Sequence, residues 1–302
     1  MKNAEPLVAT GTPVAEYAID ESLVSRLLED QHPDLADLPL RRMDEGWDNV
    51  IFRLGEHLAV RLPRRASSAN LIIHEQRWLP ALAKQVTLPL PAPCRVGKPA
   101  LGFPWPWSVV PWLKGEPADQ KVPSPAQATL FGRFLRSLHI SAPAEAAVNK
   151  VRGVPLRERA SLVEARMNRL AARTDLITAD ISRIWRVAVE TPLDRSPTWL
   201  HGDLHPRNVL VEQGVITGII DWGDITAGDC ATDLASIWML FPDPGAWRAA
   251  LAAYPDASEL TVRRAKGWAV LFGVVLLETG LSDNPRNARI GEHILRRVAR
   301  TT

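Results

Sequence analysis

Hydrophobic and polar positions alternate with one period in the first third of the chain and with another in the rest. Residues 19–29 (IDESLVSRLLE) place Ile19, Leu23, Leu27 and Leu28 at helical spacing, with Asp20 set to cap the first turn. Two short alternating runs follow, NVIFRLG from Asn49 and HLAVRLP from His57. Gly55-Glu56 separates them, which predicts a tight β-hairpin. Helical spacing returns over 68–84, where Ile72, Ile73, Gln76, Trp78, Leu79 and Leu82 form a stripe. A stretch rich in Pro and Trp comes next. Its clean strand candidate is WSVVPWL, Trp107 to Leu113, with Pro111 demoting the end to an edge or connector. Beyond Gly115-Glu116 the pattern predicts helices over 124–139, 156–173, 178–190, 246–253, 260–281 and 286–300. The later strand signals are VLVE and ITGIID. A β-rich first third and a helix-rich remainder predict an α+β protein with two lobes. No internal repeat is present, and SAPAEAAV at 141–148 reads as a surface linker.

Composition narrows the classes. At 302 residues the chain suits one large domain or two smaller ones. A hydrophobic share of 46% with 23% charged residues argues against long disordered regions. The net charge of +2 gives no basic field, so neither nucleic acid nor an anionic membrane is expected as a partner. Cys94 and Cys230 lie far apart without a pairing motif, which argues against a disulfide framework or a cysteine zinc site and predicts a cytoplasmic protein. The opening MKNAEPLVATGTP lacks a basic segment followed by an apolar core, so no signal peptide is expected. GWAVLFGVVLLETGL, from Gly267, has the length of a buried helix and carries Glu278, so no membrane span is expected either.

The chemistry concentrates in WLHGDLHPRNVLV, from Trp199, and ITGIIDWGD, which closes on Asp221 and Asp224. His201 and His205 have the four-residue spacing of two metal ligands on a helix, but Gly202 and Pro206 oppose that helix. A zinc site from His201, Asp203 and His205 is therefore the weaker reading. Phosphoryl transfer is the stronger one. It needs a group that orients the attacking hydroxyl and oxygen ligands for Mg²⁺ on the nucleotide phosphates. Asp203 and Asn208 lie five residues apart on one predicted loop, and Asp221 ends the next apolar strand beside it. Protein kinases use this order, His-x-Asp-x-x-x-x-Asn and then an Asp after the following strand. Here Trp222 stands where they have Phe.

HGDLHPRNVLV, IIDWGD and GDCATDLA together are similar to the aminoglycoside phosphotransferase family, and the form VRLPRR resembles its macrolide kinases. The resemblance covers most of the chain. It implies a protein-kinase-like two-lobed fold with a small antiparallel-sheet lobe over 1–113, a hinge about 110–116 and a larger helical lobe over 117–302. It also implies Asp203 as the catalytic Asp, Asn208 and Asp221 as holders of Mg²⁺, and His201 as a support of the loop. Asp233 would hydrogen-bond the loop backbone, with an ordinary helix N-cap as the equal alternative. His205 would pack the loop or assist the transferring phosphate.

A kinase-like first lobe also needs a strand cation paired with a helix Glu, and Arg61 with Glu75 fits that need. Arg64 and Arg65 read as a solvated face. The glycine-rich loop is reduced to Gly46 in EGWDNVIFRL, where Asp48-Asn49 either closes over phosphates through backbone N–H groups or only turns the chain. Val110 and Trp112 on the connector would offer backbone groups and an apolar wall to the nucleotide base.

The resemblance implies an acceptor site between the core of the second lobe and its added helices, here 156–175 and those after 245. That region is rich in Arg and has no acidic cluster, although Asp229, Asp243, Glu278 and Asp283 are candidates. Trp238, Phe241, Trp247 and Trp268 make an aromatic, largely neutral site an option, although Trp more often packs a core or lobe interface. The reading is a Mg²⁺-dependent phosphotransferase that uses ATP or GTP and acts on the hydroxyl of a small molecule. A macrolide or other neutral natural product ranks above an aminoglycoside. Two alternatives remain, a metabolic alcohol kinase (choline- or homoserine-like) and a non-catalytic nucleotide-binding module.

Overall fold

Asp20 accepts the Leu23 N–H at 2.8 Å and starts α1 (Glu21–Gln31), whose buried face is Leu23, Val24, Leu27 and Leu28. That face covers a sheet of β1 (Leu40–Glu45), β2 (Asn49–Leu54), β3 (Leu58–Pro63), β4 (Arg95–Gly97) and β5 (Trp107–Pro111). The computed structural model describes residues 14–46 and 48–301, so the opening stretch read above for a signal peptide lies outside them. The sheet order is β1-β2-β3-β5-β4, and every neighbouring pair is antiparallel. β2 and β3 form the expected hairpin. β1, LRRMDE, has no alternating apolar signal and forms because β2 presents an open edge. α2 (Ala66–Leu82) crosses the sheet and continues through Pro80. Its Leu79 and Leu82, with Leu88 and Leu90 beyond, belong to the core of the second lobe and tie the two lobes together.

The second lobe begins with β6 (Glu116–Pro117) and α3 (Gln127–Leu138). α4 (Ala160–Ala171) and α5 (Ala179–Glu190) follow, then β7 (Thr198–Leu200), β8 (Val209–Glu212), β9 (Val215–Ile219) and β10 (Thr226–Gly228). The chain ends with α6 (Ala231–Leu234), α7 (Ser236–Leu240), α8 (Pro244–Ala252), α9 (Glu259–Asp283) and α10 (Pro285–Ala299). β8 and β9 pair as a hairpin beside β6, and β7 pairs with β10. The architecture is α+β, kinase-like and two-lobed.

Two expectations change, and a third acquires its reason. Residues 141–148 are pinned rather than free: Ser141 bridges to Thr198, and the Ala147 carbonyl accepts the Ala227 N–H at 2.8 Å. Trp238, Phe241, Trp247 and Trp268 are all buried in the core, where they displace water instead of lining a ligand site. α9 is long and apolar enough to cross a membrane by length and composition, yet 61% of its apolar window is buried inside the molecule. Packing between α5 and α10 explains its hydrophobicity.

Candidate functional site

The loop from His201 to Asn208 is held by one buried carboxylate. Asp233 Oδ2 accepts the His201 N–H at 2.6 Å, and Oδ1 accepts the Gly202 N–H at 2.9 Å. His139 Nε2 lies 3.4 Å from the same Oδ2, and Tyr254 holds the other side of that imidazole. Of the two roles open to Asp233, the brace is the one observed. It sits inside α6, whose cap position is Cys230, and its side chain does not cap the helix. Gly202 is required twice over. Its φ is +86°, and a Cβ there would lie 2.5 Å from the Asp224 carbonyl oxygen.

His201 is buried and has no nitrogen to spare. Its Nδ1 accepts the Asp203 N–H, so its Nε2 donates to the Ile220 carbonyl at 2.9 Å. Its ring also packs on Trp222, centroid to centroid 4.6 Å. That geometry removes His201 from any zinc set. His205 Nδ1 accepts the Arg207 N–H and caps the 3-10 turn Pro206–Asn208, while its Nε2 lies 3.4 Å from Asp203 Oδ2. Both histidines therefore shape the loop.

Asp203, Asn208 and Asp221 converge because the β8–β9 hairpin folds the second motif back on the first. The Ile220 N–H donates to the Asn208 carbonyl at 2.9 Å, and the Asn208 side chain donates to the Asp203 carbonyl at 2.9 Å. The Asn208 amide oxygen is thus left without a protein partner among the described residues. Asp221 has φ +61°, rare for a residue with a side chain, so its carboxylate turns into solvent while Trp222 enters the core. Nearby Asp224 is pushed above the ordinary carboxylate value by burial and then by the charge of Asp203. Among the described residues no three His, Cys, Asp or Glu side chains converge as metal ligands. One exposed carboxylate, one free amide oxygen and a local excess of negative charge do fit Mg²⁺, which retains waters and shares phosphate oxygens.

Across the cleft, Arg61 Nη1 bonds Glu75 Oε2 at 2.6 Å, with both side chains buried. Burial alone would lower the Arg61 value, but Glu75 and Asp221 outweigh it and hold the guanidinium firmly charged. Its Nη2 stands 3.9 Å from Asp221 Oδ1. Arg64 and Arg65 are not a solvated face. Arg64 is buried and holds the Gly46 carbonyl, while Arg65 and Ser68 both bind Asp48 at 2.7 Å. Asp48 is therefore turned toward α2, and the reduced glycine loop is latched by arginines. Asn49 is buried in β2 with an Oδ1 that lacks a partner among the described residues. Val110 sits opposite Ala59 in the ladder, and the Trp112 N–H is spent on the His57 carbonyl at 2.7 Å. The Trp112 ring covers Arg53 at 4.8 Å, so this residue packs the lobe and has no backbone donor to offer.

Sequence reasoning missed Arg152. Its Nη2 bonds Asp203 Oδ1 at 2.5 Å, although nothing in VNKVRGVP marks it. Burial would raise the Asp203 carboxyl, but Arg152 and then His205 outweigh burial and hold it far below the ordinary range. The nearby Asn149 side chain donates to Asp224 at 2.7 Å.

Known proteins share this arrangement's frame. The GDP complex of wild-type aminoglycoside 2'-phosphotransferase-IIIa matches with a TM-score of 0.67 at 19% identity, over 94% of this chain and 100% of that one. Macrolide 2'-phosphotransferase MphH from Brachybacterium faecium matches with a TM-score of 0.62 at 20% identity, over 91% and 97%. At such identities the likeness is one of fold. No curated protein matches by sequence. A model of the phosphotransferase enzyme family does match, over residues 39–268, which include the strand cation, the braced loop and the second aspartate motif. The chain belongs to the phosphotransferase enzyme family, the family of the aminoglycoside phosphotransferases.

Proposed function

We propose that the protein transfers the γ-phosphoryl group of ATP or GTP to a hydroxyl of a small molecule. The 3.9 Å approach of Arg61 to Asp221 carries the reading, because it sets a phosphate-binding cation of one lobe against a metal-binding carboxylate of the other. Asp203 orients the acceptor hydroxyl. The hydroxyl oxygen of the acceptor forms the new P–O bond while the bond from γ-phosphorus to the bridging oxygen breaks. The nucleoside diphosphate leaves with that electron pair, and the hydroxyl proton passes to Asp203.

Asn208 and Asp221 would hold Mg²⁺, which neutralises charge on the phosphate oxygens when bound. Arg61, kept charged and steered by Glu75, faces the phosphates. Val110 pairs with Ala59 of β3 and the Trp112 N–H is spent on His57, so alternation leaves the Pro111 carbonyl to face the base. The acceptor enters between the braced loop and the helices α4 and α9. Two cysteines far apart in the sequence without a pairing motif support a cytoplasmic reading.

The test is Mg²⁺-dependent turnover of ATP and GTP over a panel of hydroxyl compounds, compared between wild type and Asp203→Ala. Loss of phosphorylated product with retained nucleotide binding is expected. Equal nucleotide turnover by both proteins, without product, would leave a binding module in place of an enzyme.

A further inference from the structure

Arg152 approaches the Asp203 carboxylate in a position that phosphoryl transfer alone does not require. Its Cζ stacks on Phe272 of α9 at 4.9 Å, and its Nη2 takes Asp203 Oδ1 at 2.5 Å. The backbone around it is fastened on each side. Asn149 Oδ1 accepts the N–H groups of Val151 and Arg152, and the Asp229 N–H donates to the Gly153 carbonyl at 2.9 Å. Gly153 and Gly228 touch backbone to backbone, since a Cβ on Gly228 would lie 2.6 Å from the Gly153 Cα. The Arg152 Nε is buried and has no partner among the described residues.

Two carboxylates near this position are already paired with arginines. Glu278 of α9 is taken by Arg166 at 2.5 Å and Arg169 at 2.6 Å, both from α4. Asp229 is taken by buried Arg264 at 2.8 Å. A polycationic acceptor would find Glu278 and Asp229 already paired and a fixed cation beside the reacting oxygen, with Asp224, bound to Asn149, as the carboxylate left nearby.

We propose that Arg152 sets the charge class of the acceptor: the hydroxyl that Asp203 orients belongs to a molecule bearing a carboxylate or neutral oxygen close by, and one with an ammonium group close by is rejected. The proposal rests on the phosphotransferase reading. An incoming hydroxyl must share Asp203 Oδ1 with the guanidinium or displace it. The tethered backbone and Phe272 keep a displaced guanidinium near. An oxygen of the acceptor gives its planar fork a replacement partner, whereas an ammonium adds a second cation where screening by water is weak.

Glucuronate, glucose and glucosamine share a pyranose frame and differ in charge, so they serve as probes. They are titrated into the full chain with Mg²⁺ and a non-hydrolysable ATP analogue. Wild type is expected to bind glucuronate about tenfold or more tighter than glucosamine, and Arg152→Gln to bring the two within about threefold. Should Arg152→Gln not fold, Arg152→Lys decides. It keeps the charge and the preference but loses glucuronate affinity with the fork. Equal or tighter glucosamine binding by wild type overturns the proposal, as does absent glucuronate binding. So does a change by one common factor for all three sugars, which marks a purely structural arginine. Failure of the phosphotransferase reading shows separately, as bound sugars that stay unphosphorylated when ATP replaces the analogue.

Discussion

Replacing Asp233 tests whether one buried carboxylate holds the reactive loop in place. In wild type it accepts the His201 and Gly202 N–H groups at 2.6 and 2.9 Å and faces His139. Asp233→Ala strands both buried N–H groups, and each stranded group costs about 1–3 kcal/mol. With the loss of the His139 contact, the sum is about 3–5 kcal/mol, a large part of the total stability of an ordinary domain. At roughly 2–4 °C per kcal/mol for a chain of this size, the melting temperature should fall by about 6–20 °C. Asp233→Asn retains one carbonyl oxygen but turns an NH₂ group toward a backbone N–H, so its loss should be smaller and of the same sign. Loop displacement also moves Asp203, and a misplacement of about 1 Å costs roughly a hundredfold in turnover. Thermal melting and nucleotide turnover on the same samples measure both. An Asp233→Asn protein that melts within about 1 °C of wild type and turns over equally would refute the brace.

Three further outcomes follow from the same geometry. Arg61→Ala leaves Glu75 buried without its partner, an expected loss of about 3–5 kcal/mol. The Arg61→Ala/Glu75→Ala double variant should regain stability but not nucleotide affinity by calorimetry, and a double variant with wild-type affinity would remove Arg61 from the phosphate site. Asp203 is held below its ordinary value of 3.8, so its ionisation supports folding above that pH and the support fades as pH falls toward the folded value. Wild-type turnover should therefore show no Asp203 limb above about pH 5, whereas Arg152→Gln should move the acid limb upward, read from a pH profile of kcat/KM. Gly228→Ala drives a Cβ into Gly153 and shifts the Arg152 turn, so acceptor discrimination should change more than nucleotide affinity. A variant altered only in nucleotide affinity would argue against that coupling.

The elements visible in the chain were those whose periodicity follows from a locally one-sided environment. α1, the β2–β3 hairpin, α5 and α9 each carry their own apolar face, cap or turn, so neighbours in sequence suffice to reveal them. β1 and β7 escaped because their strand state depends on a partner edge elsewhere in the chain. The tryptophans of the second lobe left core and ligand platform both open, since a tryptophan looks alike in sequence whether it faces a core or a cleft, and burial decides for the core.

The sequence by itself determined the candidate site: an Asp and an Asn at loop spacing, an Asp one hairpin later, and a strand Arg before a helix Glu. Those relations are short in the chain, and residue type and spacing suffice to read them. Only the tertiary structure decided who restrains whom. Asp233 lies 32 residues from the N–H of His201, Arg152 lies 51 residues from Asp203, and Asp221 meets Arg61 across two lobes. Hydrogen bonds and charges act over a few ångströms whatever the separation along the chain, so pairings of this kind exist only once packing has brought the residues together.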